Sequence, residues 1–522
     1  MAKVEEFAPQ ELSDTDLKPR GRVQLSPVSW RDQFLYHLLP DRFSDDNESH
    51  RELFDRTNPL RFQVKNKADW IAASTKFLGG TFRGIRSKLD YLQGLGVTTL
   101  WINSPWRQLD LETDNNDSIQ NFLDIDPNLG TCQDLRDLID AAHDRRMYVI
   151  LDVISNHSGN DWFYRDEMIA NLARVYQYWI ALVDCDGFCI KTTERIPPQN
   201  ARKFCTAIRE YAQSIGKDNF LLTGKINSDN MTDAYLDIFG CNLSAVLDIA
   251  SAPDTLTSMA KGLADPCVFF DLYSESHLAG QCRQDGLYHV SILDDDISSP
   301  NCKQRFAVHS DVPNLYEQIA NVVGVQLTMP GIPAIYYGTE QAFDGNVDNL
   351  EDTQFAAYKC SREAMFGGDF GAFQTAGCHF FNPDHPTYLR IAAIARLRNQ
   401  HDKIGKALRR GHHVLRETSF CNYPFSIPQQ GELVAWSQIL FDTEVLMVLN
   451  THALENRGAE VTVDAAMHPH DSTMTYLYKS DWSDKQLRYP PDRQTITVQH
   501  YHDDGRASVR IDLPPSCMAI LV

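Results

Sequence analysis

Residues 135–153 read LRDLIDAAHDRRMYVILDV. The first part, residues 135–146, carries apolar residues at the spacing of one helix face, and residues 147–153 form a nearly continuous apolar run of strand length. The pattern recurs along the chain, with further helix-spaced segments such as residues 81–95 and further strand-like runs at residues 33–39, 98–102, 187–190, 220–223, 289–293 and 332–336. Strands that alternate with helices predict an α/β fold, a parallel sheet covered by helices.

This alternation fits two architectures, a closed (β/α)8 barrel and an open doubly wound sheet. No GxGxxG follows an early strand, which disfavours the dinucleotide-binding form of the open sheet. From about residue 415 the sequence changes to shorter strand-like pieces, which are typical of an antiparallel β domain. Residues 1–28 are polar and acidic with three prolines, and they predict a loosely ordered arm. We therefore expect three parts: residues 1–28, residues 29–414 and residues 415–522.

Composition narrows the class of partners. The chain has 522 residues, 43% of them hydrophobic, and a formal net charge of −21. The negative charge disfavours nucleic acid and anionic membrane surfaces as partners, because both attract clustered Lys and Arg.

The N-terminal residues lack the basic and apolar regions of a secretory signal. The longest uncharged apolar stretch, residues 319–337, is interrupted by polar residues and prolines and suits a buried core better than a membrane span. The cysteines include no CxxC pair, so we expect no zinc site and no disulfide framework, and a cytoplasmic protein with reduced thiols.

Five segments, in order, resemble glycoside hydrolase family 13, the α-amylase family. They are residues 36–43 (YHLLPDRF), which are similar to Y-x-x-x-P-D-R-F; residues 79–101, from GG through GI and KLDYL to LGV and W; residues 119–131, which end in D-P-x-x-G-T; residues 152–157 (DVISNH), which match D-x-x-x-N-H; and residues 330–340 (PGIPAIYYGTE), which match P-G-x-P-x-x-Y-Y-G-x-E. The resemblance implies a (β/α)8 TIM barrel followed by a C-terminal antiparallel β-sandwich domain, with the site at the C-terminal ends of the barrel strands.

The strand that carries the nucleophile in this family is altered here. Retaining glycoside hydrolysis requires a carboxylate nucleophile and a carboxylic acid about 5–5.5 Å apart. Where the family has D-G-F-R-x-D, residues 186–191 read DGFCIK, so the resemblance places Lys191 at the nucleophile position and Cys189 at the arginine position. Side chains alternate along a strand, so Cys189 and Lys191 face the site while Asp186 and Ile190 point away. Asp186 therefore cannot replace the nucleophile without a one-residue slip.

The remaining catalytic positions also depart from the family. The acid strand ends in G-E in the family and in Gly224-Lys225 here, which puts Lys225 at the general acid position. The segment that reads N-H-D or D-D-H-D in the family is represented by residues 293–297 (LDDDI), so Asp296 either keeps the stabilising carboxylate or is shifted out of place. Residues 115–118 (NNDS) stand where a stacking tyrosine is expected. The resemblance therefore implies that the set of catalytic residues typical of the family is not intact in this sequence.

The resemblance suggests substrate contacts for Asn156, His157, Asp117, Asp295 and Trp106. Asn156 and His157 also fit structural hydrogen bonding, and core packing is the default for a tryptophan.

No metal and no cofactor is predicted. Many family members insert a small domain that helps to form the cleft and bind calcium, but here few residues separate His157 from Gly187. Asn156 matches a calcium-associated position, yet a shortened insertion after the third strand supplies too few of the six to eight oxygens that calcium takes.

The two lysines allow two interpretations. They form ion pairs with acidic residues at the barrel mouth, among them Asp294, Asp295 and Asp296, or they create a pocket for an anionic sugar such as a sugar phosphate. Other acidic residues at the mouth, such as Asp152 and Glu340, are expected to brace loops.

The leading hypothesis is a catalytically inactive α-amylase-family barrel with a carbohydrate-related binding, regulatory or assembly role, whose ligand is an α-glucan or an anionic sugar. The alternatives are an active α-glucan hydrolase or transglycosylase that uses displaced carboxylates (Glu194, Asp229 or Asp296), and a binder of an anionic sugar. Neither nucleic acid nor a membrane is expected as a partner, and the protein partner stays open.

Overall fold

Eight short strands pair in parallel and close into a barrel in the computed structural model. They are β1 (Leu35–Leu38), β2 (Thr99–Ile102), β3 (Tyr148–Val153), β4 (Gly187–Ile190), β5 (Leu221–Lys225), β6 (Ala245–Leu247), β7 (His289–Ile292) and β8 (Ile332–Tyr336). Neighbours in the barrel follow chain order, and β8 returns to β1 with Ala334 opposite Leu35. Closure confirms the (β/α)8 barrel over the open sheet.

The structure describes residues 2–4, 8–108, 119–153, 166–191, 197–225, 240–247, 252–273, 289–294, 305–308, 310, 312–345, 361–421, 423–492, 494–501 and 505–522, without the side chains of residues 225 and 252. Helices in these ranges are α1 (Pro40–Phe43), α2 (Lys67–Ala73), α3 (Phe82–Ser87), α4 (Leu89–Leu95), α5 (Cys132–Asp144), α6 (Asp166–Val183), α7 (Pro198–Ser214), α8 (Ala252–Ala260), α9 (Pro266–Phe270), α10 (Leu315–Thr328), α11 (Pro386–Asn399), α12 (Lys403–Arg410) and α13 (Asp484–Arg488). None of these helices is both long and apolar enough to cross a membrane.

Helix α5 shows how the sequence sets these boundaries. It begins after Thr131, whose hydroxyl accepts from the Asp134 backbone N–H, while the Asp134 carboxylate accepts from the Thr131 N–H. Such a capping box satisfies two backbone donors that a helix start leaves without partners. The helix ends at Asp144, and Arg146 adopts a positive φ of 60°, which turns the chain into β3. The helix and strand predicted for residues 135–153 are confirmed.

The link from β3 to β4 is short. Helix α6 begins at Asp166 and leads directly into β4, so only residues 154–165, which lie outside the described residues, separate β3 from α6. The shortened insertion expected after the third strand falls on these residues and stays a prediction. The C-terminal end of β2 is followed by a two-stranded antiparallel sheet, Trp106–Gln108 with Ile119–Ile125.

The C-terminal region is a two-sheet antiparallel sandwich, as the resemblance implied. Its strands are β9 (His412–Leu415), β10 (Thr418–Ser419), β11 (Leu433–Leu440), β12 (Thr443–Asn450), β13 (Arg457–Val463), β14 (Thr473–Lys479), β15 (Thr495–Thr497), β16 (Gln499–His500), β17 (Ala507–Leu513) and β18 (Met518–Leu521). One sheet has the order β9-β11-β12-β18-β14-β15 and the other β10-β13-β17-β16. A separate apolar core fills the space between them. Strand β9 already pairs with β11 at His412, slightly before the boundary expected at residue 415.

The N-terminal arm is tied to the barrel helices. The Arg20 N–H donates to the Ala181 carbonyl at 2.9 Å, the Gln24 N–H to Asp184 Oδ2 at 2.9 Å, and the Tyr211 hydroxyl to the Leu17 carbonyl at 2.6 Å. We expected a loosely ordered arm from its polar composition. The difference arises because backbone groups of the arm make these hydrogen bonds and the apolar side chains of Val4, Leu12 and Leu17 pack against the main core.

A buried carboxylate in the sandwich makes its stability depend on pH. Glu444 on β12 has no exposed side-chain surface and lies 2.6 Å from Arg416 Nη2 and 3.1 Å from His468 Nε2. Burial by itself raises the pKa of Glu444, but the His468 hydrogen bond and the Arg416 guanidinium outweigh it and lower the pKa to about 2. The folded state therefore favours the ionised form.

The stabilisation from Glu444 is expected to be complete above its unfolded-state pKa and to be lost as the pH falls from about 5 to about 2. Glu444→Gln should lower the free energy of unfolding at neutral pH by about 2–3 kcal/mol and flatten its dependence on pH across this interval. Urea unfolding at a series of pH values measures both effects. The control is Glu455→Gln at an exposed ion pair, which should leave the curve unchanged; a Glu444→Gln curve parallel to that of the wild type would contradict the assignment.

Candidate functional site

The C-terminal ends of β2, β3 and β4 bring three polar side chains together. Lys191, directly after β4, places its Nζ 3.1 Å from Asp152 Oδ2 on β3 and 2.6 Å from Asn103 Oδ1, just beyond β2. The side chain of Lys191 is 13% exposed and that of Asp152 is fully buried. The lysine that the resemblance puts at the nucleophile position is therefore held by an ion pair inside the barrel rim.

Aromatic rings support this ion pair from the barrel interior. The Trp101 indole N–H donates to Asp152 Oδ1 at 2.6 Å, so each carboxylate oxygen of Asp152 has a partner. The Trp101 ring stacks on His37 with centroids 4.1 Å apart, and His37 lies 5.3 Å from the Tyr336 ring. Asp152 thus braces Lys191 and Trp101 at the mouth.

The side chains of strand β4 point alternately into the barrel and towards the helices, as its sequence predicts. Cys189 is 1% exposed and belongs to the apolar cluster inside the barrel, whereas Ile190 packs in the outer layer against the helices. Asp186 points away from the mouth and accepts from Lys217 Nζ at 2.8 Å. Asp186 cannot serve as a displaced nucleophile.

A second polar cluster lies after β7 and β8. Asp294 Oδ1 accepts from the Phe306 backbone N–H at 2.8 Å, and Asp294 Oδ2 accepts from the Thr339 hydroxyl at 2.9 Å. Burial raises the pKa of Asp294 despite the opposing effect of the Arg305 guanidinium. Lys191 pairs with Asp152 on the adjacent strand β3, an acidic residue at the mouth, and not with Asp294, whose two oxygens accept from other groups. The pairing expected for Lys225, Asp295 and Asp296 lies outside the described residues.

The cluster extends to a carboxylate that sequence reasoning missed. Arg305 Nε lies 3.4 Å from Glu363 Oε2, and both side chains are almost fully buried. Burial raises the pKa of Glu363 to about 7 against the opposing effect of Arg305. Glu363 falls in no motif, so no sequence signal identified it. Asn103 was also missed, although a polar residue directly after the apolar run of β2 is a usable signal.

Glu340 joins three elements around the end of β8. Its Oε1 accepts from the Tyr36 hydroxyl at 2.8 Å and from the Tyr91 hydroxyl at 2.9 Å. Burial raises the pKa of Glu340, and these hydrogen bonds act against the shift. Glu340 ties β8 to β1 and α4, which is the bracing role expected for it.

Trp106 requires a correction. The residue was a candidate for sugar contact, but its indole has no exposed surface. The ring packs 4.6 Å from Trp179 and 5.8 Å from Tyr176, centroid to centroid, and its N–H donates to the Asp152 carbonyl at 3.2 Å. The two-stranded sheet that carries Trp106 turns the ring onto α6, so Trp106 is a core residue.

Several candidate residues lie outside what the structure describes. They are the side chain of Lys225 at the end of β5 and residues Asp117, Asn156, His157, Glu194, Asp229, Asp295 and Asp296. Their roles stay predictions. Within the described residues, no group of three or more His, Cys, Asp or Glu side chains could hold a metal ion, and the absence of a cofactor also stays a prediction.

Comparison with known proteins finds that this chain is similar to α-amylases. A family model described as "Alpha amylase, catalytic domain" matches residues 37–206. The α-amylase mde5 of Schizosaccharomyces pombe is 24% identical over 377 residues, which cover 62% of this chain and 66% of that relative. The match thus spans just under two thirds of the relative's length.

Solved structures share the architecture over nearly the whole chain. The α-amylase of Geobacillus thermoleovorans in complex with acarbose superimposes with a TM-score of 0.67 at 19% identity and covers 95% of this chain and 99% of its own. AmyP in complex with maltose gives a TM-score of 0.63 at 14% identity, with 94% and 96% coverage.

Proposed function

Because this chain belongs to the α-amylase family, we propose that it is a non-hydrolysing member that binds α-glucan without cleaving it. One observation carries the proposal. Lys191 is the side chain that the resemblance puts at the family's nucleophile position, and its ammonium is paired with Asp152 and Asn103. An ammonium has no lone pair with which to attack the anomeric carbon, and its charge repels the positive charge that develops on the sugar ring in the transition state.

The described carboxylates at the rim do not replace the missing nucleophile. Asp152 is fully buried against Lys191 and Trp101, and Asp294 is buried with both oxygens accepting hydrogen bonds. A retaining hydrolase needs a carboxylate that faces the glycosidic bond together with a proton donor across from it. Lys225 stands in place of that donor in the sequence, and loss of the donor alone lowers a rate by about 10²–10⁴-fold.

An α-glucan is the ligand class that best fits this barrel. The related structures named above hold acarbose and maltose, and neutral sugars are not repelled by a chain with a net charge of −21. The anionic-sugar hypothesis loses support because Asp152 already neutralises the Lys191 ammonium.

The purified full-length protein is expected to release no reducing ends from starch or maltooligosaccharides and to form no transfer products. A reducing-sugar assay with chromatography of the products over extended incubation measures this. The variants Glu194→Gln, Asp229→Asn and Asp296→Asn serve as controls, since these carboxylates are the candidates for a displaced mechanism. Hydrolysis by the wild type that any one of them abolishes would refute the proposal.

A further inference from the structure

A strongly basic stretch of the chain lies where the barrel joins the sandwich. Residues 396–412 (RLRNQHDKIGKALRRGH) include six Lys and Arg and a single acidic residue, Asp402, whereas the whole chain has 49 Lys and Arg against 70 Asp and Glu. The stretch covers the end of α11, all of α12 and the start of β9. A local excess of positive charge in so acidic a chain is a feature that an anionic partner can recognise.

Buried guanidinium groups concentrate positive charge beneath the end of α12. Arg409 and Arg410 both pair with Asp32, Arg409 through Nε at 3.4 Å and Arg410 through Nε at 2.9 Å. Arg398 is 1% exposed and donates to backbone carbonyls, among them that of Asp32, so it adds a charge through contacts with neutral groups. Burial and the nearby Arg409 lower the pKa of Arg398 to about 9, against the opposing effect of Asp32. The group therefore stays charged at neutral pH.

Helix α12 turns a basic face to the solvent. Lys403, Lys406 and Arg410 recur at the spacing of one helix face. The side chain of Lys403 is 71% exposed and that of Arg410 is 35% exposed, and Lys406 is exposed as well. The other side of the helix is buried and packs on β11 and β12, which fixes the basic face in place. With Arg398 and Arg409 beneath it, the face sets five cationic side chains against three carboxylates, those of Asp32, Asp402 and Asp442.

A largely exposed aromatic side chain stands beside this face. Phe441, at the tip of the β11–β12 hairpin, is 89% exposed. It adopts a positive φ of 54°, a conformation that costs free energy for a residue other than glycine. The next residue of the tip, Asp442, forms an ion pair with Lys403 and so joins the hairpin to α12. The fold thus holds an apolar ring out into water next to a row of basic groups.

We propose that Phe441 and the basic face of α12 form a docking site for an anionic lipid surface. The ring enters the boundary between headgroups and acyl chains, which aromatic residues prefer at a membrane. Lys403, Lys406 and Arg410 then contact the lipid phosphates and carboxylates. A single protruding ring favours a lipid surface over a protein partner, because a specific protein interface buries an area far larger than one side chain. The inference is independent of the proposed function.

The negative charge of the whole chain does not prevent such docking. The expectation against a membrane partner used the net charge of −21, but salt screens exposed charges that are more than about 10 Å apart. A membrane in contact with α12 therefore meets mainly its basic face. Docking through one aromatic ring and a few basic groups is expected to be reversible and to weaken as the ionic strength rises.

The test is cosedimentation of the full-length protein with vesicles of phosphatidylcholine alone or mixed in equal parts with phosphatidylserine. The wild type should bind only the mixed vesicles and should be released at high ionic strength. Lys403→Glu combined with Lys406→Glu, and separately Phe441→Ser, should each weaken binding by about tenfold or more. Phe441→Trp should retain binding, because tryptophan also prefers the membrane interface.

Two control variants match these changes elsewhere on the surface. Arg202→Glu combined with Lys203→Glu on α7 alters the net charge equally at exposed positions. Leu454→Ser removes a 69% exposed apolar side chain beyond the opposite end of β12. Both controls should bind the mixed vesicles as the wild type does, and urea unfolding should give all variants the midpoint of the wild type.

Four outcomes would overturn the inference. The wild type shows no binding to the mixed vesicles at low ionic strength, the controls lose binding as strongly as the variants of the site, or Phe441→Ser binds as the wild type does. In the fourth, soluble polyglutamate binds through Lys403 and Lys406 while the vesicles do not, which would assign the face to an acidic protein segment.

Discussion

Replacing Lys217 with methionine is expected to lower the free energy of unfolding by about 3–5 kcal/mol. Lys217 is fully buried, and its Nζ lies 2.8 Å from Asp186 Oδ1 and 2.9 Å from Asp184 Oδ1. His143 Nε2 contacts the other oxygen of Asp186 at 2.8 Å. The cluster lies at the end of the barrel opposite the mouth, where β4 begins. Methionine keeps the volume of the lysine stem but leaves two carboxylates without their main cation.

The pKa shifts indicate how this loss should depend on pH. Burial by itself lowers the pKa of Lys217, but Asp186 and Asp184 outweigh it and raise the pKa, so the ammonium stays charged. Burial raises the pKa of Asp186, yet Lys217 and His143 reverse the shift and lower it. Without Lys217 the burial effect dominates, and a carboxyl group with a raised pKa loses stability as the pH rises. The destabilisation should therefore be larger near pH 7 than near about pH 4.

Urea unfolding of Lys217→Met at the two pH values tests both statements. The matched control is Lys203→Met, whose ion pair with Asp166 is 51% and 79% exposed on its two sides and should cost less than about 1 kcal/mol. Equal effects of the two substitutions would show that the buried cluster contributes no more than a surface pair.

Replacing Trp106 with alanine should also cost about 3–5 kcal/mol, the range for removal of a large aromatic ring from a core. The fully buried indole fills the space between the barrel and α6 against Trp179, and alanine would leave a cavity there. Thermal and urea unfolding measure the loss. Tyr489→Ala, which removes a 74% exposed ring, should change stability by no more than about 0.5 kcal/mol.

Measurements of ligand binding distinguish a core role of Trp106 from a role in sugar contact. A tryptophan that serves as a sugar platform would, on replacement, weaken maltoheptaose binding while the unfolding midpoint stays in place. A core tryptophan gives the opposite pattern, a lower midpoint with affinity retained in the folded fraction. Affinity lost at unchanged stability would restore Trp106 to the binding site.

The sequence predicted the features that depend on local periodicity. The alternation along β4 placed Cys189 inside the barrel and Asp186 outside because side chains of a strand point to opposite faces in turn. The motifs placed the site at one rim because parallel strands of a barrel end together there. These inferences needed no knowledge of which strands are neighbours.

Contacts across strands were harder to predict. Lys191 reaches Asp152 because β3 adjoins β4 in the barrel, whereas Asp294 follows β7, which is not a neighbour of β4. The direction of the Trp106 ring is set by the small sheet of Trp106–Gln108 with Ile119–Ile125, and no periodic signal marks that sheet. The arm of residues 1–28 shows the same limit, since its average composition is polar and the contacts that tie it down come from backbone groups and a few apolar side chains.

The Lys191–Asp152 pair has a consequence for any substitution of Lys191. The change Lys191→Asp alone would set two carboxylates side by side at a buried rim, where Asp152 now lies against an ammonium, and like charges in such a place are costly. The guanidinium that could separate them is absent, because the adjacent site-facing position holds Cys189. A carboxylate at position 191 would therefore need an accompanying change at position 189, so the two positions are expected to be energetically coupled.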